Sequence, residues 1–319
     1  MPNKNGYVLI IGSSNMDLNI YLDRLPKPGE TVTGGRFKQF LGGKGANQAI
    51  ASLRSGSTTI FIGKIGMDPF GEQMRSQLEK EGINVDHILR EPYEASGIAF
   101  IMIDQSGENM ISVAPGANAK LSPEDVQSKS DLIINANSLV VQMEIPIETI
   151  EEIFKIASNG KSIKILNPAP LKPIPLEIIK NIDIIIPNEG ELFRLHSLLN
   201  FKDLPGRDEE NLVRASQDIA GLGVDTIITT LGDQGSLIYE SEKETFTKIP
   251  ALKVKAVDTV GAGDCFNGVL ASKLNQGENI INAVKYATVA ASIAVTRRGA
   301  QESMPYLHEI KKKYNQFYI

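Results

Sequence analysis

The chain is 319 residues long, 42 % hydrophobic and 22 % charged, a balance that suits a globular protein with a large buried core. A net charge of −5 and an isoelectric point near 5.4 argue against nucleic acid or an anionic membrane surface as partner. One cysteine excludes an intrachain disulfide framework, three scattered histidines offer no zinc-ligand spacing, and no apolar run approaches the ~18 residues of a membrane helix. With only Lys4 ahead of a short apolar run there is no signal-peptide pattern either, so a cytoplasmic location is expected.

In chain order, residues 7–11 (YVLII) are apolar and rich in β-branched residues, the pattern of a strand buried on both faces of a parallel sheet. Asn15 and Asp17 follow two apart, so in extended backbone they share a face and could grip one ligand, or they are simply turn formers after a strand. Pro26-Lys27-Pro28-Gly29 marks a turn, and residues 31–33 and 36–40 alternate like strands of a half-exposed sheet. A strand over 59–64, a proline-opened amphipathic helix over 69–81 and a hairpin from 97–103 to 109–113 come next. The hairpin is expected to pair with the strands near 31–40 as a small mixed sheet.

From Pro123 onward, strands and helices alternate. Strands are predicted at 138–142, 163–166, 182–186, 226–230, 235–239 and 245–249, and helices at 147–157, 189–199, 209–221 and 280–296. That order means an α/β fold, a doubly wound and mainly parallel sheet with helices on both faces. Such sheets bind ligands beyond the carboxyl ends of their strands. Glu144, Asn167, Asn188, Glu191, Thr230, Gly232 and Asp264 all fall at those ends.

Two small-residue loops each open a helix. Over 41–56 (LGGKGANQAIASLRSG), Gly42 and Gly43 precede a helix predicted for 46–54, with Lys44 and Asn47 at its start. Over 258–268 (DTVGAGDCFNG), Gly261, Ala262 and Gly263 precede a helix that begins near Asp264. Small residues at a helix start leave backbone N–H groups bare at the positive end of the dipole, which suits phosphate. A carboxylate there is better placed as a base, taking a proton from the attacking group, than as a phosphate ligand. Alone, the second loop reads equally as a glycine turn with an aspartate cap. Two such loops in one chain weigh against coincidence.

GGKGANQA at 42–49 and DTVGAGDCFNG at 258–268 resemble the two signatures of the ribokinase-like (PfkB) carbohydrate kinase family, the first in the form carried by its ribokinase branch. GSSNMD, PKPGETVTG, PGANAKLSPEDV, LNPAP, IIPNEGE, TLGDQG and AVTRRGAQESMP extend the resemblance over the full length. The resemblance implies one α/β domain over residues 1–319, with strands of a small β-sheet lid inserted at about 15–41 and 93–117. It implies an ATP-dependent kinase, with magnesium and potassium, that phosphorylates the 5-hydroxyl of D-ribose and forms a homodimer through the lid.

Residue by residue, the resemblance implies a sugar site of Asn15, Asp17, Gly43, Lys44, Asn47 and Glu144, with Asp264 as base and the amides of Gly261, Ala262 and Gly263 as anion hole. Nucleotide contacts would come from Asn188, Gly263, Thr288 and the loop Thr230, Leu231, Gly232, Asp233, Gln234 and Gly235, and Glu191 would act on magnesium indirectly. Asp258, Val260, Ala294, Arg297, Gly299 and Ser303 match the family's monovalent-cation site; an ion pair between Asp258 and Arg297 or Arg298 is the alternative. Val269, Gly190, Cys265 and Thr288 depart from the usual pattern; Cys265 reads first as a small packed residue, and the alternative is a reactive thiol at a helix start. Other readings are a related kinase acting on deoxyribose, a nucleoside or another sugar, or a catalytically silent sugar- or nucleotide-binding protein. Retention of Asp264 argues against the last. A dehydrogenase would need GxGxxG after the first strand, and Gly12-Ser13-Ser14-Asn15 does not supply it.

Overall fold

The computed structural model describes residues 6–319. In chain order its strands are β1 (Val8–Ile11), β2 (Asn15–Tyr21), β3 (Arg36–Gly42), β4 (Thr59–Gly66), β5 (Ile88–Glu91), β6 (Gly97–Ile103) and β7 (Asn109–Ala114). They continue as β8 (Ser138–Gln142), β9 (Ile163–Asn167), β10 (Ile184–Ile185), β11 (Thr226–Thr230), β12 (Ser236–Glu240) and β13 (Thr245–Ile249). The nine-stranded main sheet has the order β13-β12-β11-β10-β9-β8-β1-β4-β5. Neighbours from β11 through to β5 are parallel, and β12 and β13 add an antiparallel hairpin at one edge.

The apolar first strand follows from its position. Side chains alternate across a sheet, so Val8 and Ile10 enter the core on one face and Leu9 and Ile11 the core on the other. All four are fully buried, which a polar residue at any of them would disturb. Helices Lys44–Arg54, Pro69–Glu81, Ala262–Asn275, Ile280–Ala294 and Leu307–Tyr318 cover the first face. Helices Ile147–Ala157, Glu189–Leu198 and Glu209–Ala220 cover the second.

The helix starts differ in kind. Asp68, Asn188, Asp208 and Asn279 each cap a helix by accepting a backbone N–H on the side chain. Helices Lys44–Arg54 and Ala262–Asn275 instead begin at Gly43 (φ 87°) and Gly261 (φ 73°), left-handed glycines with no side-chain cap. These two helices also pack on each other at very short range. A Cβ at Gly268 would lie 2.3 Å from the Gln48 carbonyl oxygen and 2.7 Å from Ala51 Cβ. Glycine at 268 is therefore the condition for their approach.

A second sheet of four strands, ordered β3-β2-β6-β7, stands beside the main one. β2 is antiparallel to β3 and parallel to β6, and β6 is antiparallel to β7. The expected hairpin is present, but β6 pairs with β2 directly, and residues 31–33 form no strand. That segment is largely exposed between turn residues with no neighbour to take its N–H groups, and alternation alone does not make a strand. β10 is shorter than the run 182–186 because Pro187 ends the segment, although the Asp183 and Ile186 amides still bond to the β9 backbone. The C-terminal helix, absent from the sequence reading, packs through Ile310 and Tyr314.

Gly268→Ala places a methyl group against backbone rather than a movable side chain. It is expected to cost about 1–3 kcal/mol and lower the melting temperature measurably. An unchanged melting temperature would show that the two helices are free to separate.

Candidate active site

The chain leaves β1 towards β4 on one side and returns in β8 on the other. The crevice beyond the ends of those two strands is thus the switch point of the sheet, where ligands of such folds bind. Ser13 follows β1 and Glu144 follows β8. The Ser13 hydroxyl donates to Glu144 Oε2, which also accepts the Lys44 backbone N–H at 3.1 Å. One carboxylate therefore joins two strand ends to the start of helix Lys44–Arg54, whose Gly45 and Ala46 amides are taken by the Ser13 hydroxyl oxygen and carbonyl at 3.4 and 2.9 Å.

β2 forms a wall of the same crevice. Asn15 is 4 % and Asp17 8 % exposed. Asn118 Nδ2 donates to Asn15 Oδ1 at 2.8 Å, fixing that side chain. Asp17 lies against Gly42, where a Cβ would fall 2.2 Å from Asp17 Oδ2, so the first signature glycine exists to admit the carboxylate. Burial, then the negative charges of Glu144, Asp264 and Glu302, raise the Asp17 carboxyl to about 7, with Lys44 opposing.

Asp264 sits in the first turn of helix Ala262–Asn275, 7 % exposed. Asn47 Nδ2 donates to its Oδ2 at 2.9 Å and Gln48 Nε2 to its Oδ1 at 3.0 Å. Lys44 shares this space. The negative charge of Asp264, and after it burial set against Glu144, Glu191 and Asp17, leave the Lys44 ammonium above its ordinary range.

A cleft of about 350 Å³ opens from this point, lined among others by Lys44, Asn188, Glu191, Gly261, Gly263 and Asp264. A second, of about 540 Å³, meets it at Thr230, Gly232, Thr259 and Gly263, and extends past Asp233, Gly235, Leu252, Ala262 and Thr288. Asn188 and Glu191 hold each other in a capping box, with the Asn188 N–H donating to Glu191 Oε2 at 2.9 Å. Leu231 and Gln234 line neither cleft: Leu231 packs on the core and Gln234 is exposed. The Thr288 hydroxyl is buried without a partner at the wall of the second cleft.

The six residues matched to the cation site come from the segment before Gly261, the end of helix Ile280–Ala294 and the turn after it, and Asp258 joins these segments. Asp258 Oδ1 accepts from the Val260 N–H at 3.0 Å and Oδ2 from the Gly299 N–H at 3.1 Å. Arg297 pairs with Glu309, not with Asp258. The Ser303 hydroxyl donates to the Ala300 carbonyl at 2.7 Å. Gln301, between them, reaches the Gly42 carbonyl at 3.5 Å.

Ser13, Gln48, Asn118 and Gln301 did not stand out in the sequence. Gln48 and Asn118 lie inside motifs quoted above, but their partners are far away in the chain. Cys265 is fully buried, and burial together with Asp264 pushes its thiol up, so the reactive-thiol reading does not hold. Val269 is fully buried in the core, where its extra methyls have room.

A carboxyl that ionises near 7 when folded and near 3.8 when unfolded favours the native state at low pH. That contribution is complete below the unfolded value and is lost as pH rises through the folded one. It amounts to roughly 4 kcal/mol at most. Asp17→Asn should therefore raise the melting temperature at pH 8 and raise it much less at pH 5. An equal gain at both values would mean that Asp17 ionises normally.

Residues 5–307 match the sequence profile described as pfkB family carbohydrate kinase. The chain is 38 % identical over 314 residues to a ribokinase of Staphylococcus aureus, covering 98 % of this chain and all of that one. It is 33 % identical to a deoxyribokinase of Salmonella typhi, over 96 % of this chain and 97 % of that one. The structure of Arabidopsis thaliana ribokinase complexed with ribose and ATP superposes with a TM-score of 0.89 at 30 % identity, covering 97 % and 98 % of the two chains. The paired signatures, the doubly wound fold and these likenesses agree: the chain belongs to the pfkB family of carbohydrate kinases, and is a kinase of the ribokinase-like kind.

Proposed function

We propose that this kinase transfers the γ-phosphate of ATP to the 5-hydroxyl of D-ribose, giving ribose 5-phosphate. The observation that carries the reading is Asp264. It is a buried carboxylate held by two amide donors, between a wall of sugar-sized polar groups and a cleft that begins at an uncapped helix. The likeness to ribokinases, one of them complexed with ribose and ATP, supports the choice of sugar and donor.

In this reading Asn15, Asp17, Gly43, Asn47 and Glu144 hold the ring hydroxyls and leave the 5-hydroxyl facing Asp264. Asp264 takes the hydroxyl proton as the oxygen bonds to the γ-phosphorus and the bond to the β-phosphate oxygen breaks. The amides of Gly261 and Gly263 receive the charge that develops, the Ala262 N–H expected beside them being bonded to the Thr259 carbonyl at 3.2 Å, and Lys44, in the same cleft, neutralises part of it. The loop from Thr230 to Gly235 and Asn188 hold the phosphates and ribose of the nucleotide, and Thr288 faces its base.

Magnesium, when bound, neutralises charge on the phosphates. Among the described residues no cluster of three or more acidic, histidine or cysteine side chains could hold it alone. Glu191, in the cleft with one oxygen committed to Asn188, fits an ion held mainly by phosphate and water. The four-stranded sheet serves as lid over the sugar. Its exposed Phe37, Phe100 and Met110 share one face in the strand register and suit the contact of a homodimer, to be read as mass in solution.

Asp264→Asn should lower turnover at least about 100-fold while calorimetry still detects sugar and nucleotide binding. Turnover within about threefold of the parent removes Asp264 as base. The acceptor is tested by ADP release with ribose, 2-deoxyribose, fructose, adenosine and no sugar. Ribose should lead, and equal rates with deoxyribose would favour the deoxyribokinase-like reading that the 33 % identity also supports.

The cation site is part of the same proposal. Among the described residues Asp258 has no basic partner, and its carboxylate bridges the loop before the anion hole to the loop at Gly299. Both features suit a weakly hydrated monovalent ion held with backbone oxygens. Turnover should rise severalfold in potassium over tetramethylammonium at equal ionic strength. Identical kinetics in the two salts would leave the kinase reading and remove the ion.

A further inference from the structure

Gln48, Gln142 and Asn167 form a chain of buried side-chain amides that ends on Asp264 and touches no cleft wall assigned above except at Asn167. Gln48 and Gln142 are 0 % and Asn167 7 % exposed. Asn167 Nδ2 donates to the Ile186 carbonyl at 3.0 Å. Gln48 Nε2 donates to Asn167 Oδ1 at 3.2 Å and to Asp264 Oδ1 at 3.0 Å. Gln142 Nε2 donates to Gln48 Oε1 at 2.8 Å.

The direction of every amide follows from one backbone group. A carbonyl only accepts, so the Asn167 nitrogen must face Ile186 and its oxygen must face Gln48. Gln48 then has to present nitrogen to Asn167, and the same nitrogen meets Asp264. Its oxygen is left for Gln142, which must present nitrogen in turn. The cost appears at the far end, where Gln142 Oε1 is buried with no partner. An amide chain with the opposite sense would leave the Gln142 nitrogen unpartnered there instead and would aim an oxygen at the carboxylate.

We infer that Gln48, oriented by Asn167 and Gln142, is a positioning residue that holds the Asp264 carboxylate aimed, with one donor on each oxygen, while the sugar is bound. Asn47 alone holds Oδ2 and leaves the carboxylate free to pivot about that bond. The Gln48 bond to Oδ1 removes the pivot, and a second donor on a carboxylate favours the form that can accept a proton. The inference rests on the reading of Asp264 as base.

Other charged or titratable groups bear on Asp264. Lys44 acts from the opposite helix, Asp17 from β2, Glu191 from across the cleft, and Cys265 from its own helix. Asp17 itself ionises near neutrality in the empty site, so a pH profile at low sugar would mix the two carboxylates. The single-turnover rate at saturating sugar avoids this, because Asp17 is then engaged by hydroxyls.

The test compares parent, Gln48→Met, Gln142→Met and Asp264→Asn by single-turnover rate from pH 5 to 9. Melting temperature and calorimetric sugar affinity are measured alongside. In Gln48→Met the rate should fall about tenfold or more, and the acid limb should move up by about one pH unit. Gln142→Met, which touches no reacting group, should move the limb in the same direction by less; it carries the test if Gln48→Met does not fold. A rate loss with the acid limb unmoved, or no loss at all, overturns the inference. If Asp264→Asn keeps the parent rate, the base reading itself has failed, a result separate from either outcome.

Discussion

The site depends on the contact between helices Lys44–Arg54 and Ala262–Asn275, made at backbone distance through Gly268 and the Gln48 carbonyl. These helices come from opposite ends of the chain, yet each supplies part of the candidate site. Asn47 and Gln48 lie on one and Asp264 on the other. A hydrogen bond of about 3 Å between their side chains tolerates little error in helix separation. A β-carbon at 268 would push the helices apart by more than the bond allows. The packing density of the core on this face, filled by Ala46, Ala49, Val269 and Leu270, then holds the separation once it is made.

Both helices also begin without a side-chain cap, which leaves backbone N–H groups to serve as ligands. At Gly43 three of them are already used: Glu144 accepts the Lys44 amide, the Ser13 hydroxyl oxygen the Gly45 amide at 3.4 Å and the Ser13 carbonyl the Ala46 amide at 2.9 Å. At Gly261 the Ala262 amide turns to the Thr259 carbonyl at 3.2 Å, while Gly261 and Gly263 line the cleft. The same local geometry thus has two uses, and the difference lies in whether a carboxylate from another strand reaches it.

Electrostatically the crevice is strained before any ligand arrives. Asp17, Glu144, Asp264 and Glu302 crowd one region, and Lys44 balances only part of their charge. Asp17 bears the cost because it is buried with no hydrogen-bond donor among the described residues, whereas Asn47 and Gln48 donate to Asp264 and Ser13 and Lys44 to Glu144. Sugar hydroxyls would supply the donors that the protein withholds, so stability given up in the empty protein is returned on binding.

The sequence by itself determined the doubly wound class, the two glycine-opened helices and the family, because these rest on local patterns: apolar runs, helix-start chemistry and contiguous signatures. It also placed the polar residues at the strand ends, since a strand buried on both faces has nowhere else to put them. The tertiary structure decided what those residues touch. Nothing in residues 258–299 indicates that Asp258 takes the Gly299 amide while Arg297 turns to Glu309. Nor does the alternating run at 31–33 reveal that no strand will lie beside it, or that β2 will sit between β3 and β6. Gln48 is the clearest case. Its partners stand 94, 119 and 216 positions away, and its orientation follows from a carbonyl at Ile186 that it does not touch. Local patterns specify elements through short-range sterics and solvation, whereas the direction of a buried amide is settled only when every neighbour is in place.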